Sequence, residues 1–362
     1  MRNKWLSGLV GLGLVGLCGC FFFFSGEIFS GIANGISICL NTLIPSMFAF
    51  MVLAEFIGSS GYGRVLCKPF GWLARWVFHV DGELFSVFLL SMLGGYPVGA
   101  RMLAVKLERR EISRETAEFM LRFCVNCSPA FLIGGVSQVL WHTGEVGLLL
   151  YAAQGLAALT IAFVSGLGRK VCVCRRPANQ EKENGSVVFV RSVEQASKAM
   201  SMICSFVVLF CGVFALIDLL GLQGSNGVVI KGLLEVTSGC QMLGGMPFAQ
   251  SVLLAALFTS FGGVCVLMQV MALLNGTGVR FGRFLLWRGV YTALSVGFSF
   301  LGMHWLKPVV SCFGTSGNCV VEPYSVSPIS SVLLLLLGIL LLCFWKKPAT
   351  IELTHRREDS AP

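Results

Sequence analysis

Eight apolar stretches, at 5–24, 34–58, 123–141, 147–168, 199–220, 251–275, 285–306 and 331–345, dominate the chain. A run of about 20 such residues matches the hydrocarbon thickness of a bilayer when helical. Water-soluble cores are not built from repeated stretches of that length. Composition agrees: 55% of the 362 residues are hydrophobic and 12% charged, where a soluble domain carries about 25% charge. Mean hydropathy is +0.80. A soluble enzyme, a disordered chain, a coiled coil and a secreted disulfide scaffold are thereby excluded. The expected fold is an all-α polytopic membrane protein in the cell membrane.

Lys and Arg total 27 against 18 Asp and Glu, a net charge of +9. The basic residues gather at Arg2/Lys4, Arg64 to Arg75, Arg101 to Arg122, Arg169 to Lys198, Arg280 to Arg288 and Lys346 to Arg357. Basic loops of this kind face the cytoplasm and set the orientation of the spans. Both termini are accordingly expected in the cytoplasm. None of these clusters carries a nucleic-acid motif, so no nucleic-acid partner is expected. The 15 cysteines lie mostly in apolar runs, where a free thiol acts as a small hydrophobe. Cys124/Cys127 and Cys172/Cys174 lack a second ligand pair for zinc. Cys312 and Cys319 share an expected outer loop, where a disulfide is one reading.

Residues 1–33 are expected to form a first helix and an outer loop. Leu17-Cys18-Gly19-Cys20 resembles a lipoprotein cleavage box, but Phe21 to Phe24 carry the apolar run past it, which favours a retained helix. Residues 34–168 form a first membrane repeat, 169–198 a basic cytoplasmic linker, and 199–306 a second repeat; 307–362 supply an outer loop, a last helix and a basic tail. Two shorter pieces, 84–100 and 228–250, are rich in Gly and Pro. The first has basic loops on both flanks. Both read as re-entrant hairpins, whose irregular backbone must be lined by protein or water. Counting spans against basic loops makes the hairpins enter from opposite faces, an inverted-topology repeat of about eight transmembrane helices plus two hairpins.

Four polar islands interrupt the apolar sequence at matched places: Gly94 to Arg101, Asn126 to Pro129, Glu235 to Gly239, and Thr259 to Gly263 with Gln269 beyond. Broken helices expose N–H groups that favour anions and carbonyls that favour cations. From these islands the expected solute-binding residues are Gly95, Tyr96, Pro97, Arg101, Asn126, Ser128, Glu235, Thr237, Ser238, Ser260, Gly262 and Gln269. Small-residue helix packing is the competing reading for any one island. Glu235 is the sharpest position, because an ionisable group in a span is costly and usually faces the bundle interior. It can bond solute, carry a coupling proton, or pair with Lys231. Arg101 either grips an anion or anchors the cytoplasmic interface. Gln154 reads as an interhelical hydrogen bond. No H-E-x-x-H, G-x-S-x-G or Walker A motif is present, so no enzymatic activity is expected.

The islands resemble those of the YlbJ-type sporulation integral membrane proteins, a branch of the nucleoside-recognition (Gate) domain family. The matching stretches are Ile44-Pro45-Ser46, Leu93 to Arg101, Asn126 to Pro129, Leu234 to Gly239, and Ser260 to Gly263 with Met268-Gln269, over about 34–306. Relatives often carry Ser-Gly-Tyr-Pro and Glu-Val-Thr-Asn-Gly, where this chain has Gly94 and Ser238. The resemblance implies a fold similar to concentrative nucleoside transporters, with two hairpins and two unwound helices forming the site. It also implies a part in spore formation, moving dipicolinic acid towards the forespore. The expected function is therefore a secondary permease for a small organic anion. The alternatives are a non-transporting scaffold or gate with a sporulation partner or in a homo-oligomer, and a nucleoside-like solute transporter. No cofactor is expected beyond a coupling ion, Na⁺ or H⁺.

Overall fold

Among the described residues the apolar runs fold mainly into helices, and two of those helices are far longer than a bilayer is thick. The computed structural model describes residues 21–174, 184–219, 221 and 224–304, with scattered positions from 8 to 19. The last helix, the basic tail, Cys312 and Cys319, Cys20 and most of the first helix lie outside the described residues.

The first half begins with α1 (Ser25–Ser59). A hairpin follows, formed by α2 (Gly82–Gly94) and α3 (Tyr96–Glu108). Next come α4 (Arg114–Met120), a non-helical stretch, α5 (Ala130–Trp141) and α6 (Glu145–Gly166). The second half repeats this order. It begins with α7 (Gly185–Leu219), continues through a hairpin of α8 (Gly224–Leu234) and α9 (Val236–Gln241), and passes through α10 (Phe248–Phe261) and α11 (Gly263–Leu273) to α12 (Phe281–Met303). The two 35-residue helices, α1 and α7, pack on each other, as do the final helices α6 and α12. Five helices among the described residues are long and apolar enough to cross a membrane: α1, α6, α7, α12 and the α10–α11 pair. Large apolar side chains such as Phe29, Leu148, Phe163, Leu286 and Phe300 are exposed on their flanks, as lipid contact requires. The chain is an all-helical, multi-pass membrane protein.

Local sequence explains the helix ends and bends. Asp81 caps α2 by accepting from the Leu84 N–H at 2.9 Å, and Ser113 caps α4 through the Thr116 N–H at 3.2 Å. Pro45 lacks an N–H, and the turn just before it, Cys39–Leu43, widens into π-helix.

Three boundaries differ from expectation. Residues 25–33 belong to α1 and form no outer loop. Their small residues pack against α7: a Cβ on Gly31 would collide with the Cys211 carbonyl. Residues 185–198, expected in the linker, are helical and open α7. The hairpins are also offset from 84–100 and 228–250, turning at Gly95 and Glu235 with arms at 82–108 and 224–241.

The basic loops gather at one end. The Asp81 N–H donates to the Cys172 carbonyl at 2.9 Å and Asp81 Oδ2 accepts from the Cys174 N–H at 2.8 Å. Lys106 bridges Glu83 (2.7 Å) and Glu111 (3.0 Å). Glu118 receives Arg114, Arg280 and Arg283 at 3.2 to 3.3 Å, joining the two halves. The base of the first hairpin sits in this basic cluster. The chain leaving the second hairpin instead lies beside Trp141, whose Nε1 donates to Ser251 Oγ at 3.1 Å. Since Trp141 ends the helix that leads away from the basic end, the hairpins enter from opposite ends.

Candidate functional site

Each hairpin turns at a residue whose backbone leaves the helical conformation. Gly95 has φ 90° and ψ −175°, a conformation open essentially to glycine alone. Pro97 then sits in the first turn of α3, where a missing N–H costs nothing. At the second tip Glu235 is extended, and its carboxylate accepts from the Thr237 N–H at 2.8 Å and the Ser238 N–H at 2.7 Å. Glu235 therefore caps α9 while 1% exposed. Lys231 does not pair with it; that ammonium is 2.5 Å from Asp218.

Two breaks face these tips. In the first half, Val125 to Ser128 are non-helical. In the second, α10 passes into α11 through Gly262, with φ 82°. Each tip packs on its own half's break: a Cβ on Gly95 would lie 3.5 Å from that of Ser128, and one on Gly263 3.0 Å from the Leu234 carbonyl.

Polar side chains then tie the halves together in a buried cluster. The Tyr96 hydroxyl donates to the Thr259 carbonyl at 2.5 Å. Gln154 spans from the Cys127 N–H, accepted at 3.4 Å, to the Thr259 hydroxyl, to which its amide donates at 3.1 Å. Asn126 donates to Ser91 Oγ at 3.0 Å and accepts from the Tyr291 hydroxyl at 3.0 Å. Arg288, on α12, donates through Nε to the Phe261 carbonyl at 2.9 Å and through Nη1 to the Val125 carbonyl. One guanidinium thus clamps the broken segment of each half.

Of the expected site residues, Gly95, Tyr96, Asn126, Ser128 and Gly262 come together here. Ser128 Oγ accepts from the Phe131 N–H at 3.3 Å, beginning α5. Ser260, fully buried beside Thr259, donates to the Leu257 carbonyl at 3.3 Å. Thr237 and Ser238 lie in the capped turn, with Ser238 Oγ 3.1 Å from Cys211 Sγ. Gln269 is buried on α11 and donates to Cys265 Sγ at 3.2 Å. Arg101 lies apart, 3.5 Å from Glu55 and donating to the Gln195 carbonyl at 3.0 Å.

Arg288 was expected in a basic loop, and its burial at 3% exposure is the main correction. The four apolar residues Phe284 to Trp287 precede it, placing it well inside the helix. Arg288, Tyr291, Thr292, Ser295 and Ser299 recur at helical spacing and are all buried. That periodic polar stripe was the signal available in the sequence.

Outside the spans, charge pairing tunes the basic end. Burial would raise the Glu118 carboxyl, but the hydrogen bonds from Arg280 and Arg114 outweigh it and hold the group at about 2. Burial pushes the Cys174 thiol up to about 12. Cys174, Glu83 and Glu111 could together reach a metal ion, yet the Lys106 ammonium already lies between the two carboxylates.

The chain is similar to the Sporulation integral membrane protein YlbJ of Bacillus subtilis (strain 168), 24% identical over 314 residues that span 74% of this chain and 76% of the relative. No protein-family model matches the chain, and no solved structure matches it. The YlbJ-type resemblance read from the polar islands is borne out by this similarity.

Proposed function

From the premise that this is a YlbJ-type membrane protein, we propose that it is a secondary permease, not an enzyme, for a small organic anion, with dipicolinic acid in spore formation as the leading solute. The observation that carries the reading is the meeting of two hairpin tips and two helix breaks, drawn from both halves, around buried polar groups. Irregular backbone at membrane depth is tolerated only in such surroundings, and half-helix ends there are suited to hold a solute. Opposed hairpins also supply what alternating access needs, two similar bundles able to rock about a fixed site. On the positive-inside rule the basic end of the described residues faces the cytoplasm, and this reading assigns both termini to that side. A coupling ion, Na⁺ or H⁺, belongs to this reading, as does kinship with the nucleoside-recognition (Gate) proteins.

One observation favours a different reading. Glu235 has both oxygens engaged within the fold, and Arg101 is paired with Glu55. A scaffold or gate acting with a sporulation partner, or as a homo-oligomer, would need the islands only for such internal contacts. Uptake by sealed proteoliposomes separates the two. A permease accumulates labelled dipicolinate, or a nucleoside if that solute is the right one, above protein-free vesicles. A scaffold leaves both at the protein-free level.

A further inference from the structure

Arg288 is the charged group in the membrane portion whose surroundings least account for it. Its guanidinium stays protonated in proteins and carries five N–H donors in a rigid fork. Two nitrogens are used, Nε on the Phe261 carbonyl and Nη1 on the Val125 carbonyl. Nη2 is buried and has no hydrogen-bond acceptor. No carboxylate among the described residues forms an ion pair with it. The contrast with two other largely buried cations is direct: Lys231 is 2.5 Å from Asp218, and Arg101 is 3.5 Å from Glu55. Neutral carbonyl dipoles satisfy two donors but leave the charge itself unmatched, and an unmatched buried charge is among the costliest features a fold can keep.

Nη2 is enclosed by backbone and by aromatic rings. A Cβ on Gly262 would come 3.4 Å from Nη2 and 3.2 Å from the Val266 side chain, so a glycine there lets the backbone approach the guanidinium closely. The guanidinium carbon lies 5.8 Å from the Tyr96 ring centroid and 4.9 Å from that of Tyr291. The two carbonyl bonds hold the fork in place before any ligand arrives, which lowers the ordering cost of binding.

We propose that Nη2 of Arg288 is the point at which the protein holds an oxygen of a small carboxylate, with the rings of Tyr96 and Tyr291 flanking a flat acid body. This assignment rests on the permease reading and sharpens it. The solute's negative charge is met by Arg288, on the last helix of the second half. Because Arg288 also bonds the broken segment of each half, an anion bound there touches a side chain that holds both breaks. Inorganic phosphate offers the same oxyanion chemistry without a flat body for the rings.

The test is ligand-induced thermal stabilisation of the purified full chain in detergent, with three probes: dipicolinate, its uncharged diamide, and inorganic phosphate. Dipicolinate is expected to stabilise the wild-type protein at least tenfold more tightly than either of the others. R288Q is expected to lose that affinity at least tenfold, whereas R75Q, at an exposed arginine of the short helix Gly71–Trp76, keeps it. R288K preserves the charge without the fork, and should fall between wild type and R288Q even where R288Q folds poorly. Wild-type affinity in R288K and R288Q overturns the assignment, as does a wild-type response equal for the diamide or absent for every probe. A stronger response to phosphate overturns the carboxylate class. If dipicolinate stabilises the wild type through Arg288 but is not taken up by proteoliposomes, the permease reading alone falls.

Discussion

Glu235 offers the clearest separation of structure from transport. Its two oxygens accept from the Thr237 and Ser238 N–H groups at 2.8 and 2.7 Å, and the residue is 1% exposed. A hydrogen bond to a charged acceptor contributes about 1.5 to 3 kcal/mol, and a buried donor left without a partner costs about 1 to 3 kcal/mol. Glu235→Ala removes both acceptors at once. With partial relaxation of the six-residue helix α9, the expected loss is about 3 kcal/mol, roughly a 150-fold fall in the folding constant. Glu235→Gln retains one carbonyl oxygen and should lose about half as much. The assay is the SDS mole fraction at half-unfolding in mixed micelles, followed by tryptophan fluorescence. Glu235→Ala should unfold first, Glu235→Gln second and wild type last. If Glu235→Ala unfolds with the wild type, or if both variants are equally weakened, Glu235 is not acting as a cap.

Three further outcomes follow from the same contacts. Glu118 is held at about 2, below the ordinary carboxylate value of 4.5, so its stabilisation is present above that value and is lost as pH falls towards about 2; the gap in thermal midpoint between wild type and Glu118→Gln should be widest near neutral pH and close on acidification, and a gap independent of pH contradicts the clamp. Lys106→Met removes the ammonium that bridges Glu83 and Glu111, while Arg109 stays 4.0 Å from Glu111; the expected cost is about 3 kcal/mol, which the SDS midpoint would register, and an unchanged midpoint would show that the bridge contributes nothing. Gly95→Ala places a Cβ at φ 90° and 3.3 Å from Met47 Cε, with an expected loss of about 1 to 3 kcal/mol, and a fully stable variant would mean that the tip relaxes freely.

Much of this architecture was legible because membranes permit few designs. Apolar run length identified the spans α1, α6, α7, α10–α11 and α12, whereas the expected span 123–141 breaks at Val125 to Ser128 and leaves only the short α5. Glycine with proline marked both hairpins to within a few residues of their turns at Gly95 and Glu235. What failed did so for particular reasons. Ser25 to Ala33 combine polar and small residues that resemble a loop, yet in lipid the same small residues let α1 approach α7 at Gly31. Arg288 was assigned with Arg280 and Arg283 to one loop by charge alone, although only the latter two meet Glu118. Glutamate is an uncommon N-cap, so the chemistry of Glu235 pointed towards solute before its geometry pointed to the backbone. Tyr96 and Thr259 are 163 residues apart in the chain, and no local periodicity signals such a pairing. The cluster is a tertiary product, which the islands located but did not assemble.

The claim that solute passes where the broken segments meet can be tested at Cys127. This thiol is fully buried in the first break, next to the Tyr96 side chain. Cys124, three residues earlier and equally buried, is packed at the close contact between its own carbonyl and Gly99. Reconstituted protein would be treated with a small water-soluble methanethiosulfonate, and modification at each cysteine followed by peptide mass. A solute path through the break predicts that Cys127 is modified while Cys124 stays intact, and that dipicolinate slows the reaction at Cys127. Equal inertness of both thiols, with and without dipicolinate, would contradict it.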